Sequence, residues 1–219
     1  MGRNSESLLV KKYCEEHKGE LFDFGYLSSH HFKTMDYNNL RMIVSRLDKQ
    51  NVIRKISKGI FIIGESDKSD EEIIIDHYLK DGFGMASGEY LLYKLGIIED
   101  KPEEIEIYSR YVTGNKQIGN IRIIENHSSF LYGSPLNVNM LIELVGCSNM
   151  VRGNFLFAFS SKIEELVKSY TDSSFATYIR YDYGRINFVK LASILDSMHI
   201  SNKVMEIYAT KIGLLNTAK

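Results

Sequence analysis

Tryptophan is absent from this 219-residue chain, and proline and cysteine occur only twice each. Two prolines, Pro102 and Pro135, both read as loop positions, exclude a proline-rich linker and leave helices free to run. Two cysteines, Cys14 and Cys147, are too few for a disulfide framework, and their spacing fits no zinc site. No unbroken apolar run exceeds the five residues from Phe155 to Phe159, whereas a membrane helix needs about eighteen. The start, Met1-Gly2-Arg3-Asn4-Ser5-Glu6, lacks the apolar core of a secretory signal. These absences point to a cytoplasmic protein with no membrane contact. Neither sign of charge is in excess, with 27 basic and 28 acidic residues.

What is present is globular in character. Hydrophobic residues make up 44% and charged residues 25%, which excludes global disorder. The length suits one domain or two small ones at about 100–200 residues each. The near-neutral total conceals a distribution. Residues 1–64 hold 11 basic and 7 acidic residues, a net of +4. Residues 65–109 hold 4 and 13, a net of −9, and residues 110–219 hold 12 and 8, again +4. The sharpest basic stretch is Lys33 to Gly64, with 7 basic and 2 acidic residues. A polar, turn-rich segment from Gly64 to Asp70 marks a boundary.

The first segment reads as helix, helix, helix and hairpin. A helix over Ser5 to Glu16 places Leu8, Leu9, Tyr13 and Cys14 on one face. A short helix follows over Tyr26 to Phe32. Asp36 is positioned to cap a third helix from Tyr37 to Gln50, whose buried stripe is Leu40, Ile43, Val44 and Leu47. Off that stripe lie Asn38, Asn39, Arg41, Met42, Ser45, Arg46 and Lys49, with no acid among them. Val52 to Ile56 and Ile60 to Ile63 read as strands around Ser57-Lys58-Gly59, and Arg54, Lys55 and Lys58 make this hairpin cationic. That order is a winged helix-turn-helix, in which the third helix enters the major groove and the wing follows the backbone. Asn38, Asn39, Arg41 and Ser45 are the expected base readers. Arg46, Lys49, Lys55 and Lys58 are the expected phosphate contacts with double-stranded DNA.

Three short runs carry a family resemblance: Ser45-Arg46-Leu47, Ile53-Arg54-Lys55-Ile56 and Lys58-Gly59-Ile60-Phe61. With the later Ala86-Ser87-Gly88-Glu89-Tyr90-Leu91-Leu92-Tyr93-Lys94-Leu95-Gly96, they resemble the AbiEi abortive-infection antitoxins over roughly residues 1–125. The resemblance implies an autoregulatory repressor of a phage-defence toxin-antitoxin operon, acting through its N-terminal domain. It also implies a cognate nucleotidyltransferase-like toxin as functional partner, counteracted by the C-terminal domain without the need for a stable complex.

The rest of the chain offers little chemistry. Ser69-Asp70-Glu71-Glu72 is a capping box opening a helix to about Lys80, and Tyr90 to Leu95 reads as another. Glu104 to Tyr108 and Asn120 to Ile123 alternate as strands, forming either a hairpin or two adjacent strands. Helices are expected over Val138 to Val145, Ile163 to Ser169, Phe188 to Met198 and Lys203 to Ile212. The glycine-rich Gly82 to Gly88 follows a helix where a dinucleotide loop would follow a strand, so no cofactor is expected. Glu99-Asp100-Lys101 reads as a loop rather than the end of a nuclease motif. The six histidines show no metal spacing, and no nucleophile elbow is present. Tyr170, Phe175, Tyr178, Tyr181, Tyr183 and Phe188, interleaved with Arg180, Arg185 and Lys190, form either core packing or a partner surface.

The combined expectation is an α+β protein. A winged helix-turn-helix over 1–64 precedes a mixed α/β antitoxin domain over 70–219, with a small sheet and a helical end. Binding rather than catalysis is its expected mode, with a C-terminal nuclease or a winged-helix protein-interaction module as the alternatives.

Overall fold

The computed structural model describes residues 3–126, 134–178 and 184–217. Its first six elements are α1 (Arg3–Glu16), β1 (Leu21–Asp23), α2 (Phe24–His30), α3 (Tyr37–Lys49), β2 (Ile53–Ser57) and β3 (Ile60–Ile63). The three strands form an antiparallel sheet in the order β1-β3-β2. Lys58 and Gly59 close the β2–β3 hairpin, and Gly59 adopts φ of +76°, a left-handed conformation that glycine reaches without Cβ strain. The turn is tied down where the Phe24 N–H donates to the Gly59 carbonyl at 2.9 Å.

All four residues of β3 are buried because the strand serves two cores. Phe61 and Ile63 face α1–α3, packing with Val10, Phe22, Leu40 and Leu47. Ile60 and Ile62, on the opposite face by the two-residue period of a strand, join the core of the following segment. On α1 the buried residues are Val10 and Cys14, not the leucines expected there. Leu8 and Leu9 are 69% and 45% exposed. The packing partner α3 selects the i, i+4 pair that faces it.

The chain continues through α4 (Asp70–Leu79), β4 (Gly84–Ser87), α5 (Gly88–Lys94), β5 (Ile105–Ser109), β6 (Lys116–Ile118) and β7 (Ile121–Glu125). The capping box is formed, with the Glu72 N–H donating to the Ser69 hydroxyl at 3.2 Å. The second sheet has the order β4-β5-β7-β6. β5 and β7 are adjacent but parallel, so they are no hairpin. β6, between the two expected strands in sequence, pairs antiparallel with β7 on its far side. β4 was not legible among its glycines. A Cβ on Gly84 would fall 1.8 Å from the Tyr78 carbonyl oxygen, so glycine is what lets β4 run against the end of α4.

Five helices complete the fold: α6 (Ser134–Gly146), α7 (Leu156–Val167), α8 (Asp172–Tyr178), α9 (Arg185–Ser197) and α10 (Val204–Thr217). Together with one three-stranded and one four-stranded sheet they make an α+β architecture. Pro135 sits in the first turn of α6 rather than in a loop, where its missing N–H removes no helical hydrogen bond. α7 starts earlier than its periodicity suggested, because the apolar Leu156 to Phe159 leads it. α8 was not expected. Val138, Leu141, Phe175, Phe188, Leu191 and Leu195 are fully buried between these helices, each contributing roughly 1.5–3 kcal/mol for a leucine- or phenylalanine-sized side chain.

Candidate nucleic-acid interface

The third helix is built from its cap outward. Asp36 accepts the Asn39 backbone N–H at 2.8 Å, and Leu40, Ile43, Val44 and Leu47 are buried. At about 100° per residue, the opposite face runs from the hairpin side to the α1 side in a fixed order. Asp48 and Arg41 come first, then Ser45, Asn38 and Lys49, then Met42, Arg46 and Asn39. Asn38, Arg41, Ser45, Arg46 and Lys49 are exposed, while Asn39 and Asp48 are half-buried.

A groove of about 620 Å³ lies between α3 and the hairpin, lined by Arg41, Ser45, Asp48, Lys55, Lys58 and Lys116 among others. The helix face is not free of acid, because Asp48 stands on the groove wall two turns along from Arg41. The hairpin contributes two cations to this groove rather than three. Side chains alternate along β2, so Lys55 faces the groove while Arg54 turns the other way, donating to both oxygens of Asp70 at 2.9 and 2.6 Å. Those hydrogen bonds hold the Asp70 carboxyl below its ordinary range and raise the guanidinium of Arg54.

The remaining expected residues sit at the periphery. On the α1 side the Asn39 amide donates to the Glu6 carboxylate, which occupies a group expected to read a base. Arg46 lines a shallow depression between α1 and α3 with Leu8 and Met42. Lys49 is exposed near the end of α3. Asn38, Arg41, Ser45, Lys55 and Lys58 are therefore brought to one side of the molecule, and Asn39 is held at its edge.

Sequence reasoning missed Asp48 and Lys116. Asp48 was recoverable, since it lies two turns after Arg41 on the same side of a helix. Lys116 was not, because it belongs to β6. Its ammonium donates to both carboxylate oxygens of Asp23, which has no exposed surface. Asp23 also caps α2 by accepting the Tyr26 N–H at 3.1 Å, and it accepts the Tyr78 hydroxyl at 2.7 Å. Burial, then the neighbouring carboxylate, push the Tyr78 phenol far above its ordinary range.

Both cysteines are turned inward. Burial pushes the Cys14 thiol up to about 11 and the Cys147 thiol up to about 12, consistent with inert buried cysteines. Lys101, in the loop after α5, pairs with Glu71. Tyr170, Phe175 and Phe188 pack in the helical core, with Phe175 and Phe188 centroids 5.8 Å apart. The side chain of Tyr178 and residues Arg180, Tyr181 and Tyr183 lie outside what the structure describes. Among the described residues no group of three or more His, Cys, Asp and Glu is placed to hold a metal ion. None of the described helices is long and apolar enough to cross a membrane. The chain matches no family model and no curated protein.

Proposed function

We propose that the protein is a DNA-binding regulator whose residues 1–64 form a winged helix-turn-helix. The observation that carries this reading is the convergence of Arg41, Ser45, Lys55 and Lys58 on one groove beside an exposed α3. The order α1-β1-α2-α3-β2-β3 supports it, because it places a basic helix against a two-stranded ribbon. Arg41, Asn38 and Ser45 are the base-reading groups, with Arg bidentate to guanine and Asn to adenine as the best geometric matches. Lys55, Lys58, Arg46 and Lys49 hold phosphates.

The likeness in sequence to AbiEi antitoxins gives this regulator its context. It is the antitoxin and autorepressor of a phage-defence pair, opposing a nucleotidyltransferase-like toxin through residues 70–219. A gel-shift titration against the DNA upstream of its own gene tests the first part. Preference for that duplex over a scrambled one, declining as salt rises, is expected. Equal affinity for both would sink the operator assignment. Co-expression with a toxin encoded beside it tests the second part, since failure to restore growth removes the antitoxin role.

A further inference from the structure

The DNA-facing groove is not built from the first segment alone. Lys116 comes from β6 of the second sheet, yet lines the same groove as Arg41, Lys55 and Lys58. Its side chain is 21% exposed, whereas its partner Asp23 has none. The lysine side chain is therefore accessible from the groove, whereas the carboxylate is not. An ammonium has three N–H donors. Two point at the oxygens of Asp23, which leaves the third uncommitted by that pair.

Asp23 in turn is fixed by the Tyr78 hydroxyl and the Tyr26 N–H. The lysine head is therefore held in place before any ligand arrives, and little rotamer entropy is lost on binding. Its head also lies against the start of α2, where a Cβ on Gly25 would sit 3.5 Å from Nζ.

We propose that Lys116 is a phosphate-binding residue of the DNA-facing groove, supplied by the second sheet and preset by Asp23. This rests on the proposed DNA-binding reading and deepens it: the interface is composite, so β6 must be docked for full affinity. Phosphate and Asp23 then share one cation, which links the geometry of the second sheet to DNA affinity.

Simple removal of Lys116 would leave Asp23 buried and unpaired, so the informative comparison is made in an Asp23→Asn background. There the carbonyl oxygen of residue 23 can still accept the Tyr26 N–H, while its NH2 donates to the Tyr78 hydroxyl oxygen. Full-length Asp23→Asn and Asp23→Asn/Lys116→Met chains are titrated with a labelled random-sequence DNA duplex over a range of salt. If Lys116 contacts a phosphate, the slope of log K against log[salt] is shallower by about 0.9 in the double variant. Affinity at about 0.1 M salt then falls by about eightfold relative to a 1 M reference. Lys168→Met, at the end of α7, is the control for net charge. Equal slopes for the first two chains, or an equal change in the control, would overturn the proposal while leaving DNA binding intact. An unaltered chain that binds no duplex at any salt would overturn both.

Discussion

The hydroxyl of Tyr78, in the last turn of α4, donates to the carboxylate of Asp23 at 2.7 Å across the junction of the two sheets. Both side chains are buried. With Lys116 on the same carboxylate, the junction carries a polar knot inside an otherwise apolar contact of Leu21, Ile60 and Ile62 with Ile73 and Ile74. The boundary read from composition at Gly64 to Asp70 is thus spanned by a shared core. The docking of the two sheets depends on residues from both.

This knot should dominate stability at the junction. Asp23→Ala strands Lys116 and the phenol, and should cost about 3–5 kcal/mol. Tyr78→Phe removes one donor of three and should cost about 1–3 kcal/mol. Urea denaturation of each variant measures both, and equal small losses would show that the carboxylate is not the organising group.

The hairpin cations should separate by strand face. On the proposed reading, Lys55→Ala and Lys58→Ala each reduce the salt slope of DNA binding by about 0.9. Arg54→Ala should leave it unchanged, because Arg54 is turned away and held by Asp70. Anisotropy titrations at several salt concentrations distinguish these outcomes. An Arg54 variant that weakens as much as Lys55 would show that net charge, not groove geometry, controls binding.

His77 should make the fold acid-sensitive. Neither ring nitrogen has a hydrogen-bond partner. Burial, with the nearby cations Lys80 and Lys116, pushes it down from 6.5 to about 3, against the opposing pull of Asp23. Well above pH 6.5 the ring is neutral folded and unfolded, so it adds no pH dependence there. As pH falls from 6.5 towards 3, the unfolded chain takes up a proton that the folded chain refuses. Stability then drops by up to ~1.4 kcal/mol per pH unit. His77→Phe removes this term and the two unpaired nitrogens. Between pH 7 and pH 5 it should retain about 2 kcal/mol that the unaltered chain loses. Parallel denaturation curves would mean that the ring protonates where it stands.

Local signals made much of this molecule legible before its structure. Asp36 and Ser69 cap helices as their side chains dictate, because capping involves only neighbours along the chain. The stripe of Leu40, Ile43, Val44 and Leu47 is buried for the same reason. The exposed face of α3 followed from the stripe, including Asp48 once every position on the helix is counted. The exposure of Leu8 and Leu9 was not legible, since two possible faces of α1 were apolar and the neighbour decided between them. β4 and β6 were hidden because three or four residues flanked by glycine carry too little alternation to stand out.

The near absence of proline, cysteine and long apolar runs, together with the basic stretch of Lys33 to Gly64, belonged to the sequence alone. So did the helix–hairpin order and the candidate residues Asn38, Arg41, Ser45, Lys55 and Lys58. Only the tertiary structure turned Arg54 towards Asp70, engaged Asn39 with Glu6, made β5 and β7 parallel and carried Lys116 to Asp23. These last are contacts between segments up to 93 residues apart. Caps and stripes are set by the dihedrals and periodicity of one segment, whereas such pairings depend on which surfaces bury one another.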